Sequence, residues 1–437
     1  MTHLNPSVTP AASPRMFVTA DGHNLLFTFC LVSLLFLLWG FCNGMIDVMD
    51  KHFQDRLNLT LAQSAWVQFA HYLGYFIMAL PAGVLAQRLG YKGGIVAGLL
   101  MVSAGGFWFL AATQIETFWA FLLGVCVIAS GLAFLETVAN PYTTVLGSAR
   151  YAAARINLAQ SCNGIGWILG PIAGGMFFYS TDVSGQSTGA ETLHIPYVAV
   201  AVVVLVLAAV FWKAHVPDVQ PEVEPANASG PGEAAPHRPL WTRPHFTAGV
   251  IAQFFYVAAQ AGIFSFFINY MTSEMPGDGI SDRTASNLAS VAFVFFLLGR
   301  VSGAAILRKV APHRLLAAYG ISNVIVTLLV FLKLGWLSVA CVFLSYFFMS
   351  IMFPTIFALS IHDLGAQTKR ASSYLVMAII GGAIFPKIMG HIADVTDLSR
   401  SFIIPVICFA IVAFYGCMWP RYSRGASRAT GVRLGAT

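Results

Sequence analysis

Charge is what this chain has least of. Of its 437 residues, 10% are Asp, Glu, Lys or Arg and 57% are hydrophobic. A water-soluble domain carries about 25% charged residues, so the composition points to an integral membrane protein embedded in a lipid bilayer. The net charge of +6 gives no footing for nucleic acid, because the basic residues sit in short connections between apolar runs. There is no Walker loop, no His-Glu metal motif and no nucleophile elbow. No catalytic residue, metal ligand set or cofactor is therefore expected, and the chain is not read as an enzyme. The seven cysteines, Cys30, Cys42, Cys126, Cys162, Cys341, Cys408 and Cys417, are odd in number and fit neither a metal site nor a disulfide framework. They read as small packing residues. No cleavable leader is expected: the first apolar run is too long for a signal core and is expected to serve as an uncleaved insertion signal.

Long apolar runs are abundant. A bilayer is crossed by about 20 apolar residues in helical conformation. Such runs fall near 24–50, 61–87, 93–115, 118–144, 153–179, 194–213, 246–272, 285–307, 313–332, 336–361, 372–395 and 400–420. Pro141, Pro171 and Pro386 interrupt the fourth, fifth and eleventh, breaks that membrane helices tolerate where neighbours satisfy the freed backbone. Residues 218–243, rich in Pro, Ala and Glu with no apolar face, read as a flexible cytoplasmic linker. The organisation is six spans in 1–217, the linker in 218–243, and six spans in 244–437.

The positive residues set the orientation. With both termini in the cytoplasm, only Lys51, Arg56, Arg283, Lys333 and Arg400 fall outside, and only Arg300 and Lys387 fall within spans; Arg300 is read as part of a cytoplasmic turn. The halves echo each other. Gly83-Val-Leu-Ala-Gln87-Arg88-Leu-Gly90-Tyr-Lys92 follows the second span. Gly299-Arg300-Val-Ser-Gly303, then Arg308-Lys309, follows the eighth. Two equivalent turns imply a duplicated six-helix unit, with a site between the halves near the midplane. The fold class is an all-α membrane protein of twelve transmembrane helices in two pseudo-symmetric six-helix bundles.

Asp47 and Glu136 break the apolar rule. A carboxylate in hydrocarbon costs roughly 2.5–3.5 kcal/mol on insertion scales, so it survives by facing a cavity, finding a partner or taking up a proton. Asp47 shares a helical stripe with Asn43 and Trp39: an acid, an amide and an aromatic plate suited to a sugar ring. The alternative is a packing stripe near the outer interface. Glu136 has Asn140 one turn on, then Pro141, and no Lys or Arg in its run; the alternative is a structural acid paired with Arg155. Gln160 and Asn163 share one face of the fifth span, and Gln253, Tyr256 and Gln260 share one face of the seventh. Neutral sugars need many neutral donors and acceptors, although amides in membranes also serve as helix glue. Lys387, with His391 and Asp394 following on its face, reads either as a sugar contact or as a cation snorkelling to the outer interface. His71 titrates in a suitable range or is simply packed among aromatics.

Several stretches together resemble the fucose–proton symporter family of the major facilitator superfamily, whose members carry fucose, galactose, glucose and related sugars. These are Trp39-Gly-Phe-Cys-Asn43-Gly-Met-Ile-Asp47, Leu135-Glu136-Thr-Val-Ala-Asn140-Pro141, Asn157-Leu-Ala-Gln160-Ser-Cys-Asn163, Ala252-Gln253-Phe-Phe-Tyr256, Ala311-Pro312-His313, Phe353-Pro354-Thr355-Ile356-Phe357 and Gly381-Gly382. The Gly83–Lys92 turn is similar to the superfamily signature, with Gln87 where Asp is usual. The resemblance implies the major facilitator fold, with Asp47 and Glu136 as the functional carboxylates. Gly44, His71 and Lys387 depart from the fucose branch and leave the sugar open.

The expectation is a proton-coupled monosaccharide importer in the inner membrane, working as a monomer with the proton as its coupling ion. Two rivals stand beside it. A proton-driven efflux carrier for amphipathic compounds needs a more apolar cavity. A sugar sensor needs a soluble signalling domain, for which the tails are too short.

Overall fold

The computed structural model describes residues 16–18, 24–115, 117–147, 152–178, 194–214, 216, 239–277, 279–307, 309–362, 364 and 367–428. The expected linker lies outside them except for its last residues, where Leu240–Thr242 forms a short helical turn that leads into Pro244. The Gln87 side chain is also outside them.

Eleven helices among the described residues are long and apolar enough to cross a membrane. We label them with one further helix as α1 (Leu26–Asp55), α2 (Leu61–Leu85), α3 (Arg88–Ile115), α4 (Phe118–Asn140), α5 (Ala152–Phe178), α6 (His194–Lys213), α7 (Pro244–Ser265), α8 (Asp282–Ile306), α9 (Pro312–Phe331), α10 (Trp336–Ser360), α11 (Ser373–Val395) and α12 (Leu398–Ser423). The exception, α5, is less apolar because glycines replace large aliphatic residues along its contact with α1. A Cβ at Gly166 would stand 2.2 Å from the Leu37 carbonyl, and one at Gly170 2.8 Å from Gly44. Small residues let two backbones approach where lipid provides no hydrophobic drive for helix association.

The chain reverses between α2 and α3 at Gly90, whose φ of 69° explains the glycine of that turn. α1 runs past its expected end because Lys51 and Asp55 pair one turn apart, 2.5 Å, before Asn58 closes it in the left-handed region.

The expected proline breaks are not where the helices break. Pro171 and Pro386 lie inside continuous helices, and the helix of α4 continues through Pro141 to Val145. At Pro171 the unbonded carbonyl is that of Trp167, which faces Gly44. The discontinuities fall elsewhere: α2 is interrupted at Ala65, between Leu61–Ser64 and Trp66, and others lie in the second half. α7 ends at Ser265 and continues after Phe266 as Phe267–Glu274. α10 is interrupted at Ser350 and Ile351. α11 passes through a tighter turn, Ala378–Ile380, into Gly381–Val395.

Arg300 lies within a span, as the run 285–307 implies, and not in the expected cytoplasmic turn. α8 runs on to Ile306, so Arg300 stands within the helix, its guanidinium 4.8 Å over Phe296 and its Nε 3.4 Å from the Ser350 carbonyl. Gly299 and Gly303 belong to the α8–α10 contact, where added Cβ atoms would meet Phe347 O at 2.3 Å and Ile351 at 2.3 Å. The cysteines are all free; Cys42, Cys341 and Cys408 are buried packing residues as expected, while Cys30 and Cys417 are exposed.

The halves meet along two seams, α5 with α8 and α2 with α11. Exchanging equivalent helices of the two halves turns one seam into the other, as the sequence echo requires. In the first seam Ser286 donates to Pro171 O at 2.6 Å and Ser290 to Ile168 O at 2.8 Å. In the second, Leu61 N and Ala62 N donate to the two Asp394 oxygens at 2.8 and 2.9 Å. Lys387 Nζ lies 3.7 Å over the Trp66 ring. At this same end Lys51 is 3.8 Å from Asp282, and Asn269 donates to Gln54.

Candidate functional site

Between the seams, side chains of both halves converge on a buried polar cluster. Asp47 is 8% exposed and Glu136 7%. Asp47 Oδ1 accepts from Gln68 Nε2 at 2.8 Å, while its Oδ2 has no partner among the described residues. Glu136 makes no ion pair among those residues. Arg155, the structural partner considered for it, donates to the carbonyls of Met16, Thr143 and Gly147.

The α1 stripe holds. Trp39 Nε1 donates to Tyr75 Oη at 2.6 Å, and the Asn43 amide lies on the same hydroxyl. Asn43 Oδ1 remains without a partner. His71 is buried with its ring 5.0 Å from those of both Tyr72 and Tyr75, and its Nδ1 is unpaired. Tyr72 is the hub: it is within electrostatic reach of Asp47, Glu136 and Tyr256, and its ring lies flat on Gly382, where a Cβ would stand 2.5 Å away. Gly382 thus makes room for an aromatic ring from the opposite half, while Gly381 lets α11 approach the Phe254 carbonyl of its own half.

The amides divide into two groups. Gln160 donates to Asn140 Oδ1 at 3.2 Å, so those two are brought together. Asn163 donates to Phe36 O at 3.2 Å, across the tight α1–α5 contact. From the second half, Gln253 is fully buried and neither atom of its amide has a partner. Tyr256 donates to Met349 O at 3.1 Å, a carbonyl released by the break in α10, and Gln260 lies beside its hydroxyl. Lys387 stands apart on Trp66, and Asp394 caps the first turn of α2, so this stripe of α11 is spent on the seam.

Sequence reading missed Gln68, Tyr72 and Tyr75, although with His71 they recur at helical spacing on one face of α2, a legible signal. It also missed Tyr346, fully buried with an unpaired hydroxyl and stacked 4.6 Å from Phe264. Among the described residues no three His, Cys, Asp or Glu side chains converge as metal ligands. A buried polar group without a partner costs about 1–3 kcal/mol. So many of them in one place describe a surface made for something polar that binds and leaves.

The family model of the Major Facilitator Superfamily matches residues 28–386. The chain belongs to the major facilitator superfamily. This superfamily member is 34% identical over 409 residues to the glucose/galactose transporter of Brucella abortus, covering 93% of this chain and 97% of that one. It is 34% identical over 412 residues to the L-fucose-proton symporter of Escherichia coli, covering 90% and 93%. Among solved structures it is similar to FucP in the outward conformation, with a TM-score of 0.68, 32% identity, and 90% and 99% of the two chains covered. The D-xylose-proton symporter matches with a TM-score of 0.69 at 13% identity, over 90% and 97%, a likeness of fold. Its relatives are transporters, and this superfamily member is a multi-pass membrane transporter, not an enzyme.

Proposed function

We propose that this chain is a proton-coupled monosaccharide symporter that imports a neutral sugar, a 6-deoxyhexose such as fucose, a hexose or an N-acetylhexosamine, by alternating access. The observation that carries the reading is the pair Asp47 and Glu136: two buried carboxylates with no cation partner among the described residues, set among unpaired neutral donors and acceptors from both halves. Neutral amides and hydroxyls match sugar hydroxyls; aromatic rings such as Trp39 and Tyr72 match the apolar face of the ring. The polarity of this cluster disfavours an efflux carrier for amphipathic compounds. The sugar specificities named for the relatives support the substrate class.

The positive residues put both termini in the cytoplasm. The end closed by Asp394, Lys387 and Asn269 then faces outward. With that end open, a proton joins the Asp47 and Glu136 system, which removes the cost of enclosing an uncompensated charge. Sugar binds the amides, the outer seams close, and both are released inside. One proton moving down 100 mV supplies about 2.3 kcal/mol, enough for about a fiftyfold sugar gradient.

Counterflow of labelled sugar in proteoliposomes, run with fucose, galactose, glucose, mannose and N-acetylglucosamine as competitors, tests the reading. Trans-stimulated uptake of at least one is expected. Stoichiometric binding without counterflow identifies a sensor. No response to any sugar overturns the substrate class.

A further inference from the structure

α1 carries a third buried acid that the scheme above does not use. Asp50 lies one turn beyond Asp47 and is 1% exposed. Its Oδ2 accepts from Ser265 Oγ at 2.6 Å, and Ser265 belongs to the other half, at the point where α7 is interrupted. Ser64, in the first turn of α2, lies within hydrogen-bonding reach of the same carboxyl. Oδ1 has no partner among the described residues.

No cation among the described residues pairs with it. Lys51, the next residue, is turned to Asp55 at 2.5 Å and Asp282 at 3.8 Å. His52 packs on Phe53 and Phe178. On α1 itself the facing acid is Asp47, like in charge. From α2 come the neutral Ser64 and Gln68, the latter bound to Asp47. From α7 comes Ser265, and from its continuation Asn269, bound to Gln54. From α10, Tyr346 faces Asp47. Each of these facing side chains is neutral or acidic, and the Ser265 contact joins the two halves at this closed end.

We propose that Asp50 is a second proton-carrying carboxylate of α1 and the latch through which proton uptake closes the outer end. Neutral, Asp50 fits between α2 and α7 and accepts from Ser265. Ionised, it needs water, which reaches it only when the halves part at this end. The proton that allows closure is thus sensed where the halves touch, one turn outside the Asp47 site. This inference rests on the proton-coupled reading above.

The test uses the full chain in lipid nanodiscs, with the exposed Cys30 and Cys417 replaced by serine. Spin labels at the exposed positions Ile115 and Trp336 report the separation of the halves at the outer end. In the otherwise unchanged protein the parted population is expected to rise with pH. Asp50→Asn keeps an acceptor for Ser265 and cannot ionise; with only Asp47 and Glu136 left to ionise, its parting should begin at higher pH than in the unchanged protein. Ser265→Ala leaves the acid but removes its partner, so parting should begin at lower pH. Asp50→Asn parting over the unchanged pH range overturns the proposal, as does Ser265→Ala leaving the profile where it was. Should Asp50→Asn fail to fold, Ser265→Ala decides alone. If sugar uptake by the unsubstituted chain ignores a proton gradient, the coupled reading itself fails; if uptake is coupled and only the Asp50→Asn profile is unchanged, this inference alone fails.

Discussion

Removing the Asp394 carboxyl should open the α2–α11 seam. Its two oxygens take the amide protons of Leu61 and Ala62 at 2.8 and 2.9 Å, from a helix of the opposite half. A hydrogen bond to a charged group is worth about 1.5–3 kcal/mol. Asp394 is exposed, and in Asp394→Ala both amides regain water, so about 1 kcal/mol each is the proper scale. The sum, about 2 kcal/mol, moves the balance between closed and parted seams by about thirtyfold, since each 1.4 kcal/mol is tenfold. Asp394→Asn keeps one good acceptor without the charge and should lose about half, roughly a fivefold shift. Spin-label distances between Ile115 and Trp336 give the two populations directly. If Asp394→Ala leaves the distribution unchanged, the carboxyl does not hold the seam and the reasoning fails.

Further outcomes are expected elsewhere. Asp47→Asn and Glu136→Gln should reduce uphill accumulation from about fiftyfold at 100 mV to none while sparing counterflow; undiminished accumulation in either would remove that residue from the coupling pair. Gly40→Ala puts a Cβ 2.0 Å from the Asn163 carbonyl and should cost about 1–3 kcal/mol, whereas Gly83, with its nearest atom 3.9 Å away, should accept alanine without loss in thermal unfolding. Glu274 and Asp397 hold the Lys333 ammonium above its ordinary range. A raised value stabilises below the unfolded pKa, about 10.4, and the gain is lost as pH rises through the folded one. The small stability difference between the chain and Lys333→Gln should therefore persist from neutral pH to that range and vanish above it; a difference that survives at higher pH contradicts the ion-pair assignment.

The helices were legible because hydrocarbon imposes length and apolarity on every span, and the twelve runs correspond to α1–α12 with shifted ends. Their breaks were not. Proline marks a missing donor, but a continuous helix survives it when packing is tight, as at Pro171 against Gly44. The interruption at Ser265 carries no proline and is held by Asp50, far along the chain. That at Ser350–Ile351 falls just ahead of Pro354, whose missing N–H leaves the Ser350 carbonyl to Arg300, while Tyr256 takes that of Met349. Asp47 with Asn43 and Trp39 could be seen on one helix because they share a stripe. That Tyr72 lies near Asp47, Glu136 and Tyr256 at once depends on four helices meeting, which no local spacing encodes. Lys387, conspicuous in the sequence, is accounted for by Trp66 across the seam.

Proton movement accompanying sugar is the most direct measurement of the central claim. Purified protein is placed in liposomes containing a pH-sensitive dye, and a transported sugar is added outside with no imposed gradient of other ions. The coupled account requires the lumen to acidify on sugar addition, with Asp47→Asn and Glu136→Gln silent. Sugar entering the liposomes with no change in luminal pH would contradict it.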